Sequence, residues 1–217
     1  MITSPAGLLN VFEPGLKRGT AKLAFAPHKR YFYVEHPVEG WRVFLRAACF
    51  IHEAGQPFDP ARFLVVKRKD ANPTTKAWEP PKGQMEGKDA KPDSAPLITL
   101  MGENVRREVF EESKIKHIHH LRYTGLVVQS REPDYPPNTY FQYHLFQAVV
   151  NQEDIDEAQK EFAWLNEHPD AWARMRADKR EKDALTWFDP KETRLMGKWS
   201  PSIVALYIQQ VASLPSN

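Results

Sequence analysis

The run Arg107-Glu108-Val109-Phe110-Glu111-Glu112 constrains this chain more than any other stretch. Read as helix, it puts Glu108, Glu111 and Glu112 at i, i+3 and i+4, on one face. Three carboxylates stacked in this way repel by about 0.2–0.5 kcal/mol per pair. The run also falls near the end of its helix, where the macrodipole disfavours negative charge. A stable helix has no need of such an arrangement. A hard divalent cation such as magnesium, which prefers carboxylate oxygens, would turn the repulsion into binding.

Composition narrows the setting. The 217 residues include 41% hydrophobic and 27% charged side chains, enough for a buried core and against global disorder. A formal net charge of +2 makes no case for nucleic acid and does not oppose an anionic substrate. One cysteine, Cys49, excludes an intramolecular disulfide framework and fits a reducing compartment; its apolar, strand-like surroundings mark it as a core residue. With no run of 18 apolar residues and no signal-peptide pattern, the expectation is a soluble cytoplasmic protein without a membrane segment.

The order of elements suggests one layered α/β domain. Residues 1–40, rich in proline and mixed charge, read as an N-terminal extension packed on the domain, with room for a strand at Tyr31-Phe32-Tyr33-Val34. Residues 41–217 form the domain proper. Strands are expected at Trp41 to Ile51, Phe63 to Arg68, Tyr123 to Gln129, Thr139 to Val150 and Leu185 to Phe188. Residues 69–95 read as a long polar loop, and loops of that length are often functional. A helix follows, capped by Asp93 or Ser94 with Pro96 in its first turn, running to about Glu112. Residues 152–183 read as one or two exposed helices. A last helix opens at Ser200-Pro201, with Ile203, Leu206, Tyr207, Val211 and Leu214 as its stripe.

Gly83, Arg107, Glu108, Val109, Glu111, Glu112 and Ile115 together resemble the signature of the Nudix hydrolases, G-x5-E-x7-R-E-U-x-E-E-x-G-U, where U is bulky and apolar. The likeness extends from about residue 41 to 214 and implies an α/β/α sandwich with a mixed sheet. Two departures stand out. Gly83 and Arg107 are ten residues further apart than in the pattern, an insertion falling within about residues 84–98. Asp89, Asp93 or Glu103 could replace the first signature glutamate. Lys114 stands where the second glycine belongs, at a cost of up to about 1 kcal/mol if the helix ends there in left-handed geometry.

The resemblance implies roles. Glu108, Glu111 and Glu112, with the Gly83 backbone carbonyl, would hold Mg2+ or Mn2+, Glu108 and Glu112 most tightly. The metal would neutralise a pyrophosphate and acidify a water for in-line displacement. Arg107 would orient the glutamates and brace the loop. Glu181, six residues before Trp187, matches the spacing of a second-loop general base in dinucleoside tetraphosphate hydrolases; its plainer reading is a charged helix end.

Trp78-Glu79-Pro80-Pro81-Lys82-Gly83 is similar to the lead-in of the dinucleoside polyphosphate hydrolases. Lys82 could touch a phosphate, and either Tyr140 or Tyr143 could stack on a base, although strand aromatics are more often core. His144 reads as a structural histidine. Lys67, Arg68 and Arg131 could steer anions. Three functions compete: hydrolysis of a small phosphoanhydride, above all a dinucleoside polyphosphate; the same chemistry on an RNA 5′ end or cap, or on a diphosphoinositol polyphosphate; and a catalytically inactive fold used for binding. RNA predicts a continuous basic groove and steep salt dependence. A diphosphoinositol predicts a compact cluster of lysine and arginine beside the glutamates.

Overall fold

The structure, a computed structural model, describes residues 7–69, 71, 77–90 and 95–212. Its centre is a pair of parallel strands, β3 (Arg42–Glu53) and β8 (Thr139–Val150), matched from Arg42↔Thr139 to Glu53↔Val150. Both are buried almost throughout, as near-continuous apolar runs with two covered faces should be. A hairpin of β1 (Lys17–Leu23) and β2 (Ala26–Glu35) extends the sheet antiparallel to β3, and β7 (His119–Arg131) closes the other edge against β8. A second sheet sets β4 (Leu64–Arg68) between β5 (Trp78–Glu79) and β9 (Lys182–Trp187). The short strand β6 (Lys82–Gln84) pairs with β3 through Ala47↔Gly83.

The pleat of β3 divides the core in two, because successive side chains point to opposite faces. Val43, Leu45, Ala47, Cys49 and Ile51 pack with Leu100, Met101, Val105 and Val109 of helix α1 (Leu97–Ser113). Ala48 and Phe50 pack on the other side with Ile203, Val204, Tyr207 and Val211 of α4 (Trp199–Ala212). Helices on both faces of a mixed sheet make the expected α/β/α sandwich. Cys49 is buried in the first core, and burial pushes its thiol up. None of the described helices is long and apolar enough to cross a membrane.

Several expectations need adjustment. The N-terminal segment supplies two strands, and Leu9 is pinned to β7 and β8: its N–H donates to Gln129 Oε1 at 3.1 Å, and its carbonyl accepts from Gln142 Nε2 at 2.8 Å. The supposed long loop contains β5, β6 and a 3-10 turn, Gly87–Ala90, elements too short to leave a periodic trace. Asp93, Ser94 and Leu214 lie outside the described residues; Pro96 caps α1, and α4 begins one residue early, at Trp199. The insert forms α2 (Gln152–Glu167) and α3 (Pro169–Arg174). It is not simply exposed: Ile155, Ala158, Phe162 and Leu165, spaced by three and four, bury one face of α2, and Trp172 buries α3. The strand expected at Leu185 to Phe188 starts at Lys182 and ends at Trp187.

Candidate active site

The last two turns of α1 carry the whole acidic run. Arg107 lies among it as a hub: Nε donates to Asp89 Oδ1 at 3.0 Å, NH2 to Asp89 Oδ2 at 2.9 Å and to Glu108 Oε1 at 2.7 Å, and NH1 to Glu111 Oε2 at 2.6 Å. A guanidinium is the side chain whose planar fork can serve three carboxylates at once. The turn Gly87–Ala90 places Asp89, whose Oδ2 also accepts the Glu86 N–H at 2.7 Å. Of the two described acids able to replace the first signature glutamate, Asp89 and Glu103, Asp89 is the one that Arg107 grips.

Glu108 is packed against β6. A Cβ added to Gly83 would come within 1.9 Å of Glu108 Cδ, so the strand and the carboxylate can approach this closely only at glycine. Burial pushes the Glu108 carboxyl up to about 8; Arg107 pulls it down, while Glu112, Glu111 and Asp89 push it further up.

Glu112 has different partners. Its Oε2 accepts the Lys82 N–H at 2.8 Å, and its Oε1 pairs with Lys182 Nζ at 2.9 Å. Lys182 also bonds Glu79 Oε1, whose other oxygen meets Lys82 Nζ at 2.7 Å and Ser200 Oγ at 3.3 Å. The side chains of Glu79 and Lys182 are each 4% exposed. Burial opposes the charge of Glu79, but Lys82 and Lys182 hold it at about 2. Burial likewise opposes the Lys182 ammonium, and Glu112 and Glu79 more than offset it. Glu79, Lys182, Ser200 and Asn104, whose Nδ2 donates to Asp89 Oδ2 at 3.3 Å, are site residues that sequence reasoning missed. Lys182 hides in a run of mixed charge that reads as solvated helix end.

Five carboxyl groups (Glu79, Asp89, Glu108, Glu111, Glu112) therefore face three cations (Lys82, Arg107, Lys182), an excess of two negative charges once all five are ionised. In donor type and in charge the set fits a hard divalent ion. Among the described residues, no three acidic, histidine or cysteine side chains are grouped to hold a metal; the carboxylates are paired with Arg107, Lys82 and Lys182 instead.

Two of these acids, Glu79 and Glu112, open onto a cleft of about 900 Å3, which Lys82, Gly83, Tyr143, Glu181 and Lys182 also line. Arg46, Arg68, Lys69 and Arg180 add positive charge to its walls. Trp172 and Ala173 of the insert form one side, with the Lys69 ammonium 4.3 Å from the Trp172 ring centroid. Glu181 is exposed on this wall, just before β9; Trp187 ends that strand and does not open it. Tyr143 and Tyr140 part company, because an odd separation on a strand puts them on opposite faces: Tyr143 lines the cleft, and Tyr140 packs on the first core. Lys67 pairs with Asp183 at 3.1 Å, and Arg131 is exposed outside the cleft lining. His144 is a satisfied core histidine, between Tyr123 Oη at 3.0 Å and Gln142 Oε1 at 2.9 Å.

Lys114 ends α1 in left-handed geometry at φ 65°, its N–H bonding Phe110 O at 3.1 Å. Its side chain is held as well. The Nζ donates to Glu111 O at 2.7 Å and to Lys179 O at 2.5 Å, joining the end of α1 to the insert.

No family model matches the chain, and no curated protein matches it. Solved structures with a similar course include a NUDIX hydrolase from Nitrosomonas europaea (13% identity, TM-score 0.42, 80% of this chain and 97% of that one). A MutT NUDIX hydrolase from Burkholderia pseudomallei gives 15%, 0.42, 76% and 98%. The NUDIX domain of Shewanella oneidensis NrtR, complexed with ADP ribose, gives 10%, 0.45, 82% and 94%.

Proposed function

We propose that this protein is a Nudix-type, divalent-metal-dependent hydrolase of a pyrophosphate bond in a nucleoside diphosphate-linked substrate, above all a dinucleoside polyphosphate. One observation carries the reading: Arg107 binds Asp89, Glu108 and Glu111 together, on a helix whose Glu112 lines a cleft walled by Arg46, Arg68, Lys69, Lys82 and Arg180. A merely solvated acidic face would not bury three carboxyl groups around one guanidinium beside a basic cleft.

Glu108 and Glu112, with the Gly83 carbonyl, would hold Mg2+ or Mn2+, and Glu111 would complete the set on release from Arg107. When bound, the ion supplies charge neutralisation at a diphosphate and a more acidic water. The chain's own residues do the rest. Asp89 fixes Arg107, which fixes the carboxylates. Lys82 and the wall arginines attract the phosphate chain. Tyr143 offers a flat apolar surface in the cleft. Glu181, exposed on the cleft wall, would take a proton from water on that side.

A diphosphoinositol polyphosphate is the second reading, favoured by Arg68, Lys69 and Arg180 lining the same cleft as the glutamates. Initial rates with Mg2+ on diadenosine tetraphosphate and on a diphosphoinositol pentakisphosphate test the choice. The primary reading expects the larger kcat/KM for the dinucleotide, and a larger value for the inositol would replace it.

A further inference from the structure

Lys182 is the least expected member of the site. Lysine is almost never fully buried unless paired, and this one is placed by the β4–β9 register, opposite Arg68 at a bulge. From there its ammonium reaches Glu112 Oε1 at 2.9 Å and the inner oxygen of Glu79. Glu79 keeps Lys82 as a second partner, so the charges run Lys82, Glu79, Lys182, Glu112 in an unbroken chain.

We infer that Lys182 is a resident cation of the carboxylate site, tethered to the fold, and that a divalent ion gains Glu112 only in exchange for it. The inference rests on the hydrolase reading for its choice of ion. Its geometry supplies both positions of the exchange. With Glu112 given up, Lys182 still has Glu79 and need not leave the interior. A tethered competitor acts at high effective concentration, so it lowers the apparent affinity for the ion without any change in the ligands. The same ammonium holds Glu112 in place before the ion arrives.

Mn2+ binding to the purified chain, followed by electron paramagnetic resonance of the free ion, tests this without reference to catalysis. Lys182→Met should bind Mn2+ at least about tenfold more tightly than the native protein, and Lys182→Arg, which keeps the competitor, should remain within about threefold. Equal or weaker binding by Lys182→Met overturns the inference and leaves the hydrolase reading standing; absence of binding by all three proteins overturns both. Should Lys182→Met fail to fold, a crystal structure of the native protein saturated with Mn2+ decides. The inference expects Lys182 Nζ parted from Glu112 and still on Glu79. Nζ within about 3.5 Å of Glu112 with the ion bound contradicts it.

Discussion

Arg107 grips Asp89 through two parallel hydrogen bonds, Nε to Oδ1 at 3.0 Å and NH2 to Oδ2 at 2.9 Å. This fork fixes the guanidinium, and the guanidinium fixes Glu108 and Glu111. Lysine keeps the charge and loses the fork. Arg107→Lys should therefore lower kcat/KM by about 10–100-fold, the usual effect of disturbing groups that orient metal ligands. Asp89→Asn should do the same, and the double variant should be no worse than the poorer single one. Steady-state kinetics of the four proteins check this; additive losses would show that Asp89 and Arg107 act separately.

Gly83→Ala tests the approach of β6 to Glu108. The new methyl group would fall 1.9 Å from Glu108 Cδ, but what it meets is the far end of a flexible side chain. The variant should fold, with a stability loss of about 1–3 kcal/mol by urea denaturation. Its activity should fall far more than its stability, because Glu108 has to swing out of the site. A variant with native activity would show that the position of Glu108 is not critical.

Asp89 also shows how far the sequence could be read. Counting forward from Gly83 along the signature lands on Asp89, and the turn Gly87–Ala90 delivers it to Arg107. Local spacing survives up to that residue, so the extra length of the arm falls after it. The acidic face of the helix follows from i+3 and i+4 geometry, and its left-handed end at Lys114 from the place of the signature's second glycine. The pairing of Lys182 with Glu79 does not. These residues lie far apart in sequence and meet because β5 and β9 flank β4. No local pattern encodes which strands become neighbours, and the charged run around Lys182 looks solvated. The buried face of the insert is hidden in the same way: its charges are plain, and only four apolar residues of α2 mark the face that packs.

Two buried histidines give the protein an acid limit. Burial lowers His52 to about 4 and His144 to about 3. His52 is held between Arg62 O at 2.8 Å and Tyr207 Oη at 2.6 Å, and neither offers a negative charge. A depressed folded-state pKa contributes stability that is present above the unfolded value, about 6.5, and lost as pH falls through the folded value. Thermal unfolding should thus show stability falling from about pH 6.5 towards 4, by on the order of 3 kcal/mol for His52. His52→Gln should flatten that slope. A slope unchanged in the variant would place the acid limit elsewhere.

The central claim is that the acidic face of α1 binds a divalent ion for hydrolysis. Its most direct test is turnover of diadenosine tetraphosphate by the native protein and by Glu112→Gln, with and without Mg2+ or Mn2+. The account predicts turnover that needs the metal, vanishes with a chelator, and falls by more than about 100-fold in Glu112→Gln, beyond the loss typical of an orienting residue. Turnover that survives the chelator, or equal rates in Glu112→Gln and the native protein, would contradict it.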